Sequence, residues 1–156
     1  MIKRADLPRF NSRTCKHALR YGRSHIHRLG VFAVEAISRG QKVIEYTGER
    51  LTMAQATRRF WRTWSPGTKR PVYLVQLSRR WVLDGAFHGS GAERINHSCE
   101  PNLKAKRISG HVWFLSKRAI KPGEELTVDY LFSPEAPVVR CRCGALSCCG
   151  TINLEK

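Results

Sequence analysis

Residues 140–150 read RCRCGALSCCG and put four of the chain's six cysteines within nine positions. A segment this short builds no core of its own, so its fold depends on what its thiols bind. Three of them, Cys141, Cys143 and Cys148, stand at C-x-C-x4-C, and a structural zinc takes four ligands. Cys149 is poorly placed to be the fourth, because adjacent side chains diverge. The remaining cysteines are Cys15, in a polar and basic N-terminal segment, and Cys99, in RINHSCEPNL. An amide at Asn96, an imidazole at His97 and a hydroxyl at Ser98 give Cys99 the surroundings of a site, and Pro101-Asn102 then turns the chain. Local pattern leans toward Cys99 and leaves Cys15 open. The competing reading of Asn96 and His97 is a polar loop that satisfies its own backbone.

Context favours metal over disulfides. The opening MIKRADLPRF carries no apolar run of the signal-peptide kind, and no stretch approaches the roughly 20 apolar residues of a membrane span. The expectation is a soluble intracellular protein, in the cytoplasm or in a nucleus or nucleoid, with no membrane partner. In such a reducing compartment clustered thiols bind metal more often than they pair. A secreted effector using a signal-less route stays open. With 156 residues, 42% of them hydrophobic, there is material for one domain around one core.

Charge is the strongest bulk feature, with 28 Lys and Arg against 12 Asp and Glu for a formal +16. Such a surface attracts polyanions and disfavours basic partners. The cations gather in RRFWRTWSPGTKR (58–70), at Arg79-Arg80 and in KAKR (104–107), with Phe60, Trp61 and Trp64 interleaved in the first. Two readings compete for that stretch. TMAQATRRFWRTW is either an amphipathic surface helix with aromatics turned inward and arginines solvated, or a contact for nucleic acid or another acidic partner.

The rest of the chain is short and extended. GVFAV (30–34), QKVIEY (41–46), VYLVQL (72–77), RWVLD (80–84), HVWFLS (111–116) and ELTVDY (125–130) are rich in β-branched and aromatic residues, with turns such as SRG, SPG, ISG and KPG between them. The fold class predicted is mainly β. One helix is expected over 52–63, with Thr52 as its N-cap and Pro66-Gly67 beyond its end. No internal repeat or low-complexity linker interrupts the pattern. Near FSPEAP (132–137) the strands give way to the cysteine tail.

RINHSCEPNL, then KPGEELTVDYLF, then CRCGALSCCG resemble, in that order, the N-H-S-C-x-P-N segment, the G-E-E-L-T-x-D-Y segment and the cysteine-rich post-SET tail of the SET-domain protein lysine methyltransferases. SHIHRLGVFAVEAISRGQKVIEYTGE is similar to the family's opening strands, and VYLVQL and WVLDGAFHG to its middle. The likeness runs from about residue 17 to residue 152, and four motifs in order carry more weight than any one. It implies a minimal SET plus post-SET enzyme: a SET domain over 17–132 and a zinc-binding tail over 133–156. The implied fold is several small curved sheets with a threaded (pseudoknot) loop joining RINHSC to ELTVDY, one short inserted helix and a zinc-bound C-terminal tail.

The resemblance also implies the chemistry. Zinc would be held by Cys99, Cys141, Cys143 and Cys148, with Cys149 a bystander and Cys15 structural. The reaction would transfer a methyl group from S-adenosylmethionine to the ε-amine of a lysine in a protein substrate, histone-like or ribosomal. Asn96 and His97 would bind the cofactor's amino-acid and adenine ends, Leu29, Gly30 and Val31 would offer backbone contacts, and Tyr73 would lie near the carboxylate. Tyr130 would be the catalytic tyrosine, and Tyr46 would line the lysine channel. For Tyr46 and Tyr73 the plain alternative is a half-buried strand tyrosine.

Departures from the family pattern keep other readings in play. The family's G-x-G is here Arg28-Leu29-Gly30, and its G-N-x-x-R-F-I is GSGAERI, with Ser90 for the asparagine and Glu93-Arg94 for the basic–aromatic pair. Val128 stands where some members carry an aromatic that influences how many methyls are added. A SET-fold protein that binds cofactor without turnover is one alternative. A small basic zinc-containing nucleic-acid-binding protein is the other.

Overall fold

The computed structural model describes residues 7–63 and 72–153. Trp64, the Pro66-Gly67 turn and the SPGTKR stretch lie outside the described residues. Strands β1 (Leu19–Arg23) and β2 (Leu29–Ala33) form an antiparallel hairpin. Strands β3 (Lys42–Tyr46), β9 (His111–Ser116), β8 (Leu103–Ile108), β10 (Thr127–Val128) and β7 (Asn96–His97) make a five-stranded sheet in that spatial order. A third sheet has β6 (Trp81–Asp84) between β4 (Glu49–Thr52) and β5 (Leu74–Gln76). The fold is thus mainly β, in several small sheets with one α-helix among the described residues.

Alternation along the strands builds the core. In β3 and β9, Ile44 faces Phe114 and Tyr46 faces Val112, all buried. Ile37, Ile95, Leu103, Ile120 and Leu126 complete the same cluster, each at 1% exposure or less. Only two residues of ELTVDY are strand, yet they matter most for topology. β10 runs parallel to both β7 and β8, so the returning chain lies between two strands that are consecutive in sequence. Asn102, 2% exposed, fastens that crossing. Its amide donates to the Glu125 carbonyl at 2.8 Å, and its side-chain oxygen accepts from the Thr127 N–H at 2.9 Å.

Helix α1 (Met53–Thr63) starts where the sequence indicated. The Gln55 N–H donates to the Thr52 hydroxyl at 3.3 Å, and the Thr52 N–H donates to the Gln55 side chain at 2.8 Å, a reciprocal capping box. Two residues depart from the first of the two readings of this stretch. Ala56 is the buried residue, whereas Trp61 is 56% exposed rather than turned inward. Arg59 is not a solvated arginine: one of its terminal nitrogens lies 2.6 Å from Glu49 and 2.8 Å from the buried Asp84.

The tail is held largely by polar contacts. Phe132 bridges to Asn153 and Arg140 to Thr151. The Asn153 side chain accepts from the Val139 N–H at 2.9 Å and donates to the Ser133 carbonyl at 3.1 Å.

Candidate active site and thiolate cluster

The thiols of Cys99, Cys141, Cys143 and Cys148 come together, with all four sulfurs within 4.8 Å of one another. Cys99 Sγ lies 3.8 Å from Cys141 Sγ and 3.9 Å from Cys148 Sγ. Sulfurs at the corners of a tetrahedron with metal–sulfur bonds of about 2.3 Å stand about 3.8 Å apart, so the spacing and the soft donor set both fit zinc. The choice between the two distant cysteines is therefore decided by position. Cys15 is buried in the main core and its thiol donates to the His17 carbonyl at 3.0 Å. Cys149 is exposed, with its thiol directed at the Ser147 carbonyl. Burial raises the Cys99 and Cys141 thiols. Cys143 feels the same burial, but the N–H groups of Cys99 and Ala145 and the Cys141 and Cys148 thiols bring it down to about 6.

Strand β7 joins this cluster to the neighbouring polar site. Asn96 and His97 are buried, and Cys99 follows two residues later. The Asn96 amide donates to Leu29 O at 3.0 Å, to Ser24 Oγ at 3.1 Å and to Glu125 Oε1 at 2.8 Å. It thereby fixes the start of β2. Gly30 suits that position, because a Cβ would displace the Glu125 carboxylate that the Asn96 amide holds. Arg28, where the family has glycine, adopts φ 42°, in the left-handed region.

Burial lowers the pKa of His97, so the ring is neutral at pH 7. Its Nδ1 accepts the Tyr130 N–H at 3.2 Å, which leaves the proton on Nε2, 3.5 Å from Cys99 Sγ. His97, Cys99, Asp129, Thr151 and Asn153 line a cleft of about 200 Å³ between the sheet and the tail. Tyr130 stacks on Phe132 at 5.8 Å and donates its hydroxyl to the Ile95 carbonyl at 2.9 Å. Although 39% of its surface is exposed, its hydroxyl end lies deep, and burial raises its pKa well above the usual tyrosine range. Tyr46 is 3% exposed and donates to the Tyr73 carbonyl at 2.7 Å, and burial raises its pKa too. Burial raises Tyr73 as well, and Tyr73 and Tyr130 add to the rise at Tyr46 as Tyr73 does at Tyr130. These are permanent neutral groups, suited to orienting a partner and unsuited to acting as a base.

Four supporting residues were not assigned from sequence. Ser24 and Glu125 hold Asn96, and Asn102 fastens the crossing. The P-N and G-E-E-L segments contain two of them, but only the fold shows what they touch. Arg94 is the fourth: it donates to the Tyr73 hydroxyl at 2.7 Å and lies 4.9 Å over that ring, with Nε 3.4 Å from buried Glu93. Ser90, another departure, donates its hydroxyl to the Glu45 carbonyl.

Small β-sheets, a strand returning between two others and a tail gathered by four thiols define an unusual architecture, and comparison with known proteins gives its family. Residues 28–131 match the SET domain, and the chain belongs to that family. It is 40% identical over 154 residues to the Schizosaccharomyces pombe protein named "Histone-lysine N-methyltransferase, H3 lysine-4 specific", covering 96% of this chain and 17% of that one. Over the same length it is 36% identical to the human "Histone-lysine N-methyltransferase SETD1B", covering 96% of this chain and 8% of that one. Among solved structures, a chain in the crystal structure of an active polycomb repressive complex 2 in the stimulated state matches with a TM-score of 0.70 and 31% identity, over 77% of this chain and 16% of that chain. This chain thus spans less than a fifth of the length of each of these relatives.

Proposed function

We propose that the chain is a protein-lysine N-methyltransferase unit, with residues 17–132 as its SET domain and 133–156 as its post-SET tail. The substrate lysine belongs to a histone tail, with the H3 lysine 4 named for one relative the first to test. That substrate implies a nuclear site of action; no described helix is long and apolar enough to cross a membrane. The carrying observation is the parallel pairing of β7 with β10, beside which Asn96, His97, Tyr130 and the thiol cluster are neighbours.

Bound S-adenosylmethionine supplies an electrophilic methyl on a sulfonium. Leu29, Gly30, Val31, Tyr73, Asn96 and His97 would hold it, and their neutral imidazole, amide and phenol suit a ligand that already carries a positive centre. The remaining task is to align a neutral amine in a dry passage. At a pKa of about 10.4, roughly one lysine in 2,500 is neutral at pH 7, so burial beside Tyr46 and a nearby cation would assist by lowering that value. Tyr130 keeps its proton and orients the amine through its oxygen. Zinc on Cys99, Cys141, Cys143 and Cys148 would pin the tail against β7 and wall the site.

The test is incubation with radiolabelled S-adenosylmethionine and a panel of histones and ribosomal proteins. Labelling of a lysine is expected, and Tyr130→Phe should lower the rate about 10²-fold or more with zinc content and folding unchanged. Cofactor binding without any labelling would support the non-catalytic alternative. The nucleic-acid-binding alternative is weakened at helix α1, because Arg59 is already engaged by Glu49 and Asp84.

A further inference from the structure

Residues directly opposite in antiparallel strands point to the same face of a sheet. In the five-stranded sheet Lys104, Leu115 and Lys42 lie in one row, and Lys106, Trp113 and Glu45 in the next. The opposite face carries Ile44, Val112 and Phe114 into the core. Residues 14–16 run along the outer edge of β3, with Cys15 bridging Ile44 and the Lys16 N–H donating to Val43. This adds a fourth lysine to the outer face. The Nζ atoms of Lys16 and Lys42 stand 5.7 and 5.1 Å from the centre of the Trp113 ring. Trp113 is therefore only 8% exposed although it faces away from the core. The two ammonium groups lie over the ring while both lysines stay exposed, and that of Lys16 also donates to the Ser12 carbonyl at 2.9 Å.

All four lysines are exposed, and none forms an ion pair among the described residues. Glu45, the carboxylate in these rows, is held by His111 at 2.6 Å. Strand geometry puts Lys104 and Lys106 about 7 Å apart and Lys42 about 10 Å from Lys104. These separations are comparable to a Debye length of about 8 Å at physiological salt, so the four charges act as one patch.

We propose that this lysine face binds the phosphate backbone of double-stranded DNA, independently of methyl transfer. A polyanion is the complement of an unpaired cationic array on a chain of +16. Lysine is a point charge that meets phosphate without reading bases, whereas carboxylates on an acidic protein are better matched by the arginine fork. The face also offers little to a single strand, since the Trp113 ring is capped by Lys16 and Lys42 and the His111 ring is tied to Glu45.

The test is fluorescence anisotropy on a labelled duplex of arbitrary sequence, titrated with salt. Each phosphate contact contributes a slope of about −0.9 in log affinity against log salt, so four contacts cost about 10²-fold between 50 and 200 mM. Lys16, Lys42, Lys104 and Lys106 changed together to Gln should flatten the slope by about 3 to 4, and the same four changed to Arg should retain it. The pair Lys104→Gln and Lys106→Gln spares the lysines that cap Trp113, and should remove about half of the effect. An unchanged slope in the Gln variants would overturn the proposal, as would tighter binding to single-stranded than to duplex DNA. Equal affinity for poly-glutamate of matched charge would show the partner class to be wrong.

Discussion

Replacing Cys99 with serine tests the link between the tail and the rest of the fold. Cys99 is the one member of the sulfur cluster outside the tail, and its distances to Cys141 and Cys148 already match a tetrahedral edge. A structural zinc contributes about 10–16 kcal/mol at neutral pH, so one ligand in four accounts for roughly 2.5–4 kcal/mol. Cys99→Ser should therefore weaken zinc binding about 10²- to 10³-fold. Packing offers little to replace it, because between residues 140 and 153 only Cys141 and Asn153 are buried. The assay is zinc content after dialysis against a competing chelator, with limited proteolysis reporting release of the chain beyond Phe132. Cys15→Ser and Cys149→Ser are the controls and should keep about one zinc. Full zinc in Cys99→Ser, or loss of zinc in Cys15→Ser, would refute the ligand set.

Three further outcomes follow from single contacts. Arg28 sits at φ 42°, and relief of that conformation is worth about 1–2 kcal/mol. Arg28→Gly should gain it less about 0.5–1 for glycine's freedom in the unfolded chain, while Arg28→Ala should not; urea melts in which alanine matches glycine would exclude backbone strain as the cause. Burial raises the Glu93 carboxyl above its ordinary value, with the Gly91 N–H and Arg94 only partly opposing it. The native state then holds this proton more tightly than the unfolded chain, so wild-type stability should fall as pH rises from near 4.5 through the raised value. Glu93→Gln should remove that fall, and parallel stability–pH curves for the two proteins would contradict the reasoning. Finally, Arg59→Ala strips the cation from Asp84, whose side chain is 5% exposed, and should cost about 1–3 kcal/mol in chemical denaturation. A loss within error of zero would return Arg59 to the solvated surface.

Elements whose residues carry their own β signal were legible in the sequence: GVFAV, QKVIEY, RWVLD and HVWFLS all overlap observed strands. The strands that escaped lack that signal. β8 is LKAKRI, read as a charge run, and it becomes a strand because it pairs along its whole length with β9. β1 and β4 likewise owe their form to partners, β2 and β6. In the opposite direction, ELTVDY looks like six residues of strand and supplies two, because its job is to pass between β7 and β8. Site residues followed the same division. The family resemblance joined Cys99 to the three tail cysteines, whose sulfurs the fold gathers, and it named Asn96, His97 and Tyr130, which the fold makes neighbours. Ser24 was not, since nothing local says that a serine 72 positions away will accept the Asn96 amide.

The two adjacent departures at positions 93 and 94 read differently in three dimensions. Taken singly, a glutamate where the family has a basic residue and an arginine where it has an aromatic ring each look disruptive. Together they form one polar unit. The planar guanidinium of Arg94 lies over Tyr73 as a ring could, and adds a hydrogen bond to the Tyr73 hydroxyl that a phenyl group could not make. A cation so placed needs a counter-charge, and Glu93, with its side chain 1% exposed, supplies it while also accepting the Gly91 N–H at 2.9 Å. The same residues leave little spare room: a Cβ at Gly85 would meet both the Tyr46 hydroxyl and Glu93 Cβ within 2.8 Å. Tyr46 in turn donates to the Tyr73 carbonyl. The exchanged pair therefore holds Tyr73 directly, and Tyr46 through its hydrogen bond to the Tyr73 carbonyl, by polar contacts in place of an aromatic one.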